Sequence, residues 1–146
     1  MMSQNKEKLN VLFLCTGNSC RSQMTEGWAR YLKSDCIEAF GAGVAPYKLS
    51  ERAVQVMAEA GIDISDQYSK HVDDLSGLDF DYVITLCDSA RHHCPVYSGK
   101  TKMIHHSFED PMFAVGTKAQ ILAEFRRIRD QIRDFVAAMR ENLKNL

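Results

Sequence analysis

The sequence predicts an α/β fold, a three-layer sandwich in which a four-stranded parallel sheet carries helices on both faces. Two short apolar runs, Val11-Leu12-Phe13-Leu14 and Tyr82-Val83-Ile84, are typical of strands that are buried on both faces. Helical segments alternate with the strands along the chain, and this alternation favours a parallel sheet.

The periodicity of apolar residues predicts the elements in order. Strands are expected over 9–14, 37–42, 81–86 and 102–106, and helices over 22–33, 50–60 and 118–143, with a helical turn within 72–78. Ser50 is expected to cap the second helix and Gly61 to end it. In the last helix, apolar residues recur three or four positions apart and charges fill the other face, which predicts one packed and one solvated side.

Length and composition are those of an ordinary globular protein. The 146 residues fit one domain over 1–146, and 45% apolar with 25% charged residues exclude collagen-like, disordered and disulfide-scaffold classes. The formal net charge of −1 argues against a nucleic-acid binder, which needs a basic surface. Since no apolar run approaches the roughly 20 residues that span a bilayer, no membrane association is expected.

The polar N-terminus lacks the apolar core of a signal peptide, so a cytoplasmic protein is expected. No apolar face is left over once the elements are assigned, which favours a monomer. Five cysteines need an explanation: Cys15, Cys20, Cys36, Cys87 and Cys94. In a reducing compartment, clustered cysteines are more often catalytic, redox-active or metal-binding than structural bridges.

The strongest signal is the turn between the first strand and the first helix. A cysteine and an arginine with five residues between them, Cys15 and Arg21, can enclose one tetrahedral oxyanion. The intervening N–H groups point inward as an anion nest, and the helix N-terminus adds its dipole. The predicted oxyanion-binding residues are Thr16, Gly17, Asn18, Ser19, Cys20, Arg21 and Ser22.

The side chains of this turn have separate expected tasks. Arg21 presents a planar fork to two anion oxygens, and the positive surroundings are expected to lower the pKa of Cys15 until it is a thiolate near neutral pH. Ser22 is expected to donate a hydrogen bond to that thiolate. Gly17 and Asn18 are expected to permit an unusual backbone angle. The alternative for Cys15, an inert core cysteine, is disfavoured by the complete string in its strand–turn–helix context.

These residues carry a family resemblance. The Cys-x5-Arg-Ser string after an apolar strand resembles the low-molecular-weight protein tyrosine phosphatases. The longer string CTGNSCRSQMTEGW, which begins at Cys15, more closely resembles the thioredoxin-coupled arsenate reductases, which share that fold; the similarity runs from about residue 10 to about residue 134. The resemblance implies a low-molecular-weight phosphatase-like fold, arsenate as substrate, phosphate or sulfate as analogues, and thioredoxin as partner. No cofactor is predicted.

Two more segments are expected at the same edge of the sheet, because ligand sites of open α/β sheets lie at the carboxyl ends of the strands. Cys87 ends the third predicted strand, and Asp110-Pro111 follows the fourth. The pattern Thr-Leu-Cys-x6-Cys-Pro, which ends in Cys94-Pro95, resembles the redox segment of the arsenate reductases. The polar stretch between its cysteines is expected to be mobile.

The resemblance implies a stepwise reaction with five catalytic residues. Cys15 attacks arsenate that the loop and Arg21 hold, and Asp110 protonates the departing oxygen. Cys87 then attacks the Cys15 sulfur, arsenite leaves, and Cys94 moves the disulfide to Cys87–Cys94, where thioredoxin reduces it. Two thiols that become one disulfide supply the two electrons.

Three alternatives stay open. A phosphatase would use Cys15 alone, although Met112-Phe113 match only in part the aromatic residues that grip a phosphotyrosine. A redox sensor would need no oxyanion loop. A zinc site would draw on a cluster whose spacing is unlike that of zinc knuckles, Cys87, His92, His93, Cys94, His105 and His106.

Some thioredoxin-coupled arsenate reductases bind potassium beside the loop. Asn18 and Glu26 match the family there, whereas Gly41 and Lys70 replace a serine and an aspartate that would help to hold the ion. The Lys70 ammonium is therefore expected to substitute for the cation and to hold Glu26, and no metal is predicted.

Overall fold

The computed structural model describes residues 8–97 and 99–139. Its strands are β1 (Leu9–Cys15), β2 (Ile37–Gly43), β3 (Tyr82–Thr85) and β4 (Lys102–His105). Its helices are α1 (Arg21–Leu32), α2 (Glu51–Glu59), α3 (Asp88–His93) and α4 (Lys118–Ala137). Short 3-10 helices cover Val72–Leu75 and Pro111–Phe113.

The four strands form one parallel sheet in the order β2-β1-β3-β4, as the alternation of elements predicts. Consecutive residues of a strand point to opposite faces of a sheet. In β1, both Phe13 and its neighbour Leu14 have no exposed surface, so other elements cover both faces. The predicted α/β class with a four-stranded parallel sheet is confirmed.

The strand order explains where a ligand site forms. From β1 the chain first moves to one side to form β2 and then crosses to the other side of β1 to form β3. The carboxyl end of β1 is therefore the point at which the winding of the sheet reverses. Loops diverge at such a point and leave a crevice, which is where open α/β sheets bind ligands.

The helix signals in the sequence are confirmed at α2. Ser50 caps the helix by accepting a hydrogen bond from the N–H of Ala53 at 3.2 Å. Gly61 follows the last turn with φ +87°, a left-handed angle that glycine adopts without strain. The apolar stripe of α4 is buried as expected, and this helix packs on α1 and α2.

Two predictions at element ends differ from the structure. The polar segment after Cys87 forms the six-residue helix α3, which the sequence analysis treats as a mobile stretch. Within it Ala90 is the buried residue, so α3 has no apolar stripe that a period could reveal. Helix α4 ends at Ala137, and the end predicted at 143 lies outside the described residues. Met139 is buried although it lies beyond the end of α4. Apolar residues at helical spacing therefore indicate which residues are buried, and they do not show where the helix ends.

Among residues 8–97 and 99–139, no helix is both long enough and apolar enough to cross a bilayer.

The central strands are expected to dominate stability. Ile84 on β3 has no exposed surface, so Ile84→Ala should lower the free energy of unfolding by about 3 kcal/mol through lost burial and a residual cavity. Urea unfolding followed by circular dichroism measures the loss. Met103→Ala on β4, where the side chain is 49% exposed, is the matched control and should cost less than about 1 kcal/mol. Equal losses for the two variants would contradict the assignment of the core.

Candidate active site

The loop between β1 and α1 turns its carbonyl groups outward. Those of Cys15, Thr16, Gly17 and Ser19 accept hydrogen bonds of 2.8 to 3.1 Å from the N–H groups of Val44, Ala45, Tyr47 and Ser50. The segment after β2 thus runs alongside the loop. Gly43 allows this approach, because a Cβ there would lie 2.5 Å from the Thr16 carbonyl oxygen.

With its carbonyls occupied, the loop directs N–H groups inward. The N–H groups of Asn18 and Ser22 both form hydrogen bonds to the Cys15 sulfur. Successive amides that converge on one point form an anion nest, which agrees with the predicted oxyanion loop. Cys15 lies at the floor of this nest and is 2% exposed.

Asn18 holds the shape of the loop. It is fully buried and has φ +48°, and it is the one residue other than glycine with a positive φ among the described residues. The prediction that Asn18 tolerates an unusual backbone angle is confirmed, whereas the prediction for Gly17 is wrong, because its φ is not positive. The Asn18 carbonyl accepts hydrogen bonds from Gln23 Nε2 at 2.8 Å and Ser69 Oγ at 2.6 Å, which fixes the left-handed turn.

The side chain of Asn18 orients Ser22. Asn18 Oδ1 accepts a hydrogen bond from the N–H of Lys70 at 3.0 Å, so the amide nitrogen faces the other way and donates to Ser22 Oγ at 2.6 Å. Ser22 Oγ lies 2.9 Å from Cys15 Sγ. Because the serine oxygen accepts from Asn18, the Ser22 hydroxyl proton is available to the sulfur, the arrangement that the sequence predicts.

The electrostatics of Cys15 differ from the expectation. Burial raises the pKa of the thiol above its ordinary value, whereas the Ser22 hydroxyl, the loop amides and the Arg21 charge lower it. The groups that were predicted to stabilise a thiolate are all present, but desolvation of the buried sulfur outweighs them. The pKa of Cys20 is also raised. Burial and the Asp110 charge hold it well above the ordinary value of a thiol, so Cys20 remains a neutral thiol.

Arg21 and Asp110 meet at the rim of the loop. Arg21 donates to the Phe108 carbonyl at 3.2 Å and to Asp110 Oδ2 at 3.1 Å. The second oxygen of Asp110 accepts a hydrogen bond from the N–H of Met112 at 2.9 Å. The structure thus places the Asp110 carboxylate against the guanidinium that was predicted to bind an anion.

A pocket of about 240 Å³ opens above the Cys15 sulfur. Its walls contain residues from three separate loops, Cys15, Thr16, Gly17, Ser19, Cys20, Arg21, Ala45, Tyr47, Asp110 and Met112. Ala45 and Tyr47 are not among the site residues predicted from the sequence. Their position just after β2 could have indicated that they lie near the site, because the carboxyl ends of all parallel strands lie at one edge of the sheet.

Cys87 lies beside the loop. Its sulfur is 3.2 Å from Thr16 Oγ1, and it accepts a hydrogen bond from the N–H of Ala90 at 3.4 Å. Cys87 is buried, with 8% of its surface exposed. The structure therefore brings a second thiol next to the residue that follows Cys15, as expected from the two strand ends.

Cys94 is held apart from Cys87. The two cysteines flank α3 and are seven residues apart, which corresponds to about 10 Å at the helical rise per residue. All five cysteines are free thiols. Cys94 is half-buried, and desolvation raises the pKa of its thiol. A disulfide needs Cα atoms within about 7 Å, so α3 has to unwind before these two cysteines can bond.

The histidines of the zinc alternative have other neighbours. His93 Nδ1 lies 2.9 Å from the Ser89 carbonyl, and His105 contacts Thr85 and Asp88 at 2.7 and 3.1 Å. Within residues 8–97 and 99–139, no three His, Cys, Asp or Glu side chains converge where they could hold a metal ion.

Comparisons with known proteins agree with this geometry. The family model described as low molecular weight phosphotyrosine protein phosphatase matches residues 10–146. An arsenate reductase of Shouchella clausii is 47% identical over 124 residues, which are 84% of this chain and 88% of that protein. A solved arsenate reductase in the phosphate binding state superposes with a TM-score of 0.70 at 34% identity and covers 92% of this chain and 95% of its own.

One further solved structure is described by its reductant. A thioredoxin-dependent arsenate reductase of Corynebacterium glutamicum superposes with a TM-score of 0.67 at 25% identity. The match covers 92% of this chain and 63% of that one.

The Ser22 hydroxyl should control the ionisation of Cys15. Because its hydrogen bond lowers the pKa of Cys15, Ser22→Ala should raise that pKa and move the alkylation profile to higher pH. The rate of iodoacetamide alkylation at Cys15, followed by mass spectrometry from pH 5 to 10, measures the shift. Ser107→Ala, at an exposed serine outside the pocket, is the control and should leave the profile unchanged. A profile that does not move in Ser22→Ala would show that the hydroxyl is not directed at the sulfur.

Proposed function

Because this chain belongs to the low molecular weight phosphotyrosine protein phosphatase family and is 47% identical to an arsenate reductase over 124 residues, we propose that it reduces arsenate to arsenite. One observation carries the proposal. The Cys87 sulfur lies 3.2 Å from Oγ1 of Thr16, which is a residue of the oxyanion loop. Phosphate-ester hydrolysis needs one nucleophilic sulfur, whereas reduction of arsenic needs a second thiol within reach of the first.

Arsenate binds in the nest at the end of β1. It has the tetrahedral shape and negative charge of phosphate, so the inward amides and the Arg21 fork suit it. The residues that we assign to oxyanion binding are Thr16, Gly17, Asn18, Ser19, Cys20, Arg21 and Ser22. Since Arg21 Nη2 donates to Asp110 Oδ2 at 3.1 Å, an anion bound by the guanidinium has to compete with Asp110.

In the first step, the Cys15 sulfur bonds to arsenic and one arsenate oxygen leaves as water. Burial raises the pKa of Cys15, so its thiol proton has to leave as the sulfur attacks. Asp110 lines the same pocket and contacts Arg21, a position from which it can accept that proton and pass it to the oxygen that leaves as water. We assign Asp110 as the general acid that protonates the leaving oxygen.

In the second step, the Cys87 sulfur attacks Cys15 Sγ. The sulfur–sulfur bond forms as the sulfur–arsenic bond breaks, and its electron pair stays on arsenic. Arsenic(V) becomes arsenic(III), the proton of the Cys87 thiol passes to the departing arsenite, and the two cysteines are oxidised to the Cys15–Cys87 disulfide. The contact of Cys87 with Thr16 supports this step, because it places the attacking sulfur beside the loop.

In the third step, the Cys94 sulfur attacks Cys87, and its proton passes to the Cys15 sulfur that is released. Helix α3 has to unwind for this bond, because the two cysteines stand at its opposite ends. Its six residues and its largely exposed surface make the unwinding inexpensive in free energy. The product is a Cys87–Cys94 disulfide near the surface, which we propose is reduced by thioredoxin; the thioredoxin-dependent relative supports that choice of partner.

The proposed chemistry also bears on the compartment in which the protein works and on its need for a cofactor. The relay needs free thiols between turnovers, and we propose that the protein works in the reducing cytoplasm as a monomer. The cysteines carry both electrons, so the proposed reaction uses no resident cofactor.

The second candidate is a phosphatase that hydrolyses phosphate monoesters through a phosphocysteine. The exposed ring of Tyr47 and the Met112 side chain favour it, because they flank the pocket as an aryl group would require. This reaction would use Cys15, Arg21 and Asp110, and Cys87 and Cys94 would take no part in it.

The first experiment measures arsenate-dependent NADPH oxidation with thioredoxin and thioredoxin reductase. The relay predicts turnover in the wild type and its loss in Cys15→Ser, Cys87→Ser and Cys94→Ser. Cys94→Ser should complete one turnover and stop with a trapped Cys15–Cys87 disulfide, visible by mass spectrometry. Cys36→Ser is the matched control and should retain full turnover.

Rapid hydrolysis of an aryl phosphate that needs Cys15 and not Cys87, without arsenate-dependent turnover, would establish the phosphatase instead. Turnover that survives in Cys94→Ser with thioredoxin would show that the relay has two cysteines rather than three.

Asp110→Asn tests the acid. The amide keeps the shape of the side chain but carries no acidic proton, so turnover should fall by about 100-fold. Binding of phosphate to the variant, measured by calorimetry, should be retained or strengthened, because Asp110 no longer competes for Arg21. Unchanged turnover would assign the proton to another group.

A further inference from the structure

A buried carboxylate lies behind the oxyanion loop. Glu26 on α1 is 2% exposed, and its Oε1 is buried without a hydrogen-bond partner among the described residues. Its other oxygen pairs with Arg30 at 2.5 Å, but the Arg30 side chain is 54% exposed. Burial raises the pKa of Glu26, and the charges of Arg30 and Lys70 lower it. A carboxylate in this setting requires a nearby cation.

Lys70 supplies that charge from the opposite side. Its Nζ donates to the Gly41 carbonyl at 2.9 Å and to the Tyr68 carbonyl at 3.2 Å. The ammonium is therefore held by two main-chain oxygens rather than by Glu26 itself, which corrects the expectation of a direct contact. Desolvation lowers the pKa of Lys70, and the attraction of Glu26 raises it, so the two charges stabilise each other.

These residues do not fit a potassium ion. Backbone carbonyls and a carboxylate are the oxygen donors that a hard cation takes, and here the Lys70 ammonium already occupies both carbonyls. A second cation would be repelled by that ammonium. At Gly41, a Cβ would lie 2.6 Å from Glu26 Oε1, so a side chain at this position could not be added without moving the carboxylate.

The segment that carries Lys70 also holds the loop. The N–H of Lys70 donates to Asn18 Oδ1, and Ser69 Oγ donates to the Asn18 carbonyl. Asn18 in turn orients Ser22 against the Cys15 sulfur. A continuous series of hydrogen bonds therefore runs from the ammonium site to the nucleophile.

We propose that Lys70 is a built-in cation that replaces an alkali ion behind the loop. Its ammonium compensates Glu26 and fixes residues 68–70 against Asn18, so the loop keeps its anion-binding shape without a bound metal ion. Lys70 is a positioning residue, because it acts through Asn18 and Ser22 and lies outside the pocket. The inference concerns the oxyanion loop and holds for either reaction that the loop performs.

The first test compares thermal unfolding in KCl and NaCl at equal ionic strength. The wild type should unfold at the same temperature in both salts, because its cation is covalently attached. Lys70→Asp removes the ammonium and adds a carboxylate beside Glu26, so potassium at ten times its Kd should raise the Tm by about 4 °C over sodium. A potassium-specific rise in the wild type, or none in Lys70→Asp, would overturn the proposal.

The second test measures the loop itself. Lys70→Met should weaken the binding of inorganic phosphate, measured by calorimetry, by about tenfold and shift the pH profile of Cys15 alkylation upward. Lys70→Arg keeps the charge and should stay within about threefold of the wild type. Lys102→Met, at an exposed lysine on β4, is the matched control and should change neither quantity.

Phosphate affinity and an alkylation profile that both stay at wild-type values in Lys70→Met would overturn the proposal. If Lys70→Met does not fold, Lys70→Arg and the wild-type salt comparison still decide it. Neither test uses turnover, so a failed reductase assay and a failed cation test remain separate results.

Discussion

The structure depends on one close approach of two main-chain segments. The carbonyls of the loop after β1 bond outward to residues 44–50, and Gly43 lets the two segments touch at Thr16. A loop whose carbonyls are satisfied on the outside presents its N–H groups to the inside, where they form a cradle for negative charge. The proposed anion site is thus a consequence of how β1 and β2 end side by side, and Arg21 adds its charge to the N–H groups that the backbone supplies.

Asn18 links that backbone to the chemistry. Its left-handed angle shapes the turn, its carbonyl binds Gln23 and Ser69, and its amide orients Ser22 against Cys15. The orientation of the amide comes from Lys70, which is 52 residues away along the chain. The Lys70 segment beside Glu26 and the hydrogen bond at the Cys15 sulfur therefore belong to one network that runs through Asn18.

The two further cysteines of the proposed relay have contrasting environments. Cys87 is buried beside the loop and contacts Thr16, whereas Cys94 is separated from Cys87 by the length of α3. In the proposed relay, the second disulfide requires α3 to unwind. A short helix with one buried residue suits this requirement, because few packing contacts oppose its opening.

The sequence by itself determined the sheet strands, the helices with an apolar stripe and the loop from Cys15 to Ser22. These depend on local periods and on one contiguous string, and the structure has them. It did not reveal α3, which lacks a stripe, or the raised pKa of Cys15, which follows from the depth of burial. Only the tertiary structure placed Tyr47 in the pocket, Thr16 against Cys87 and Lys70 behind Asn18. Such contacts join segments that are distant in the chain, and strand order and close packing decide them rather than any local pattern.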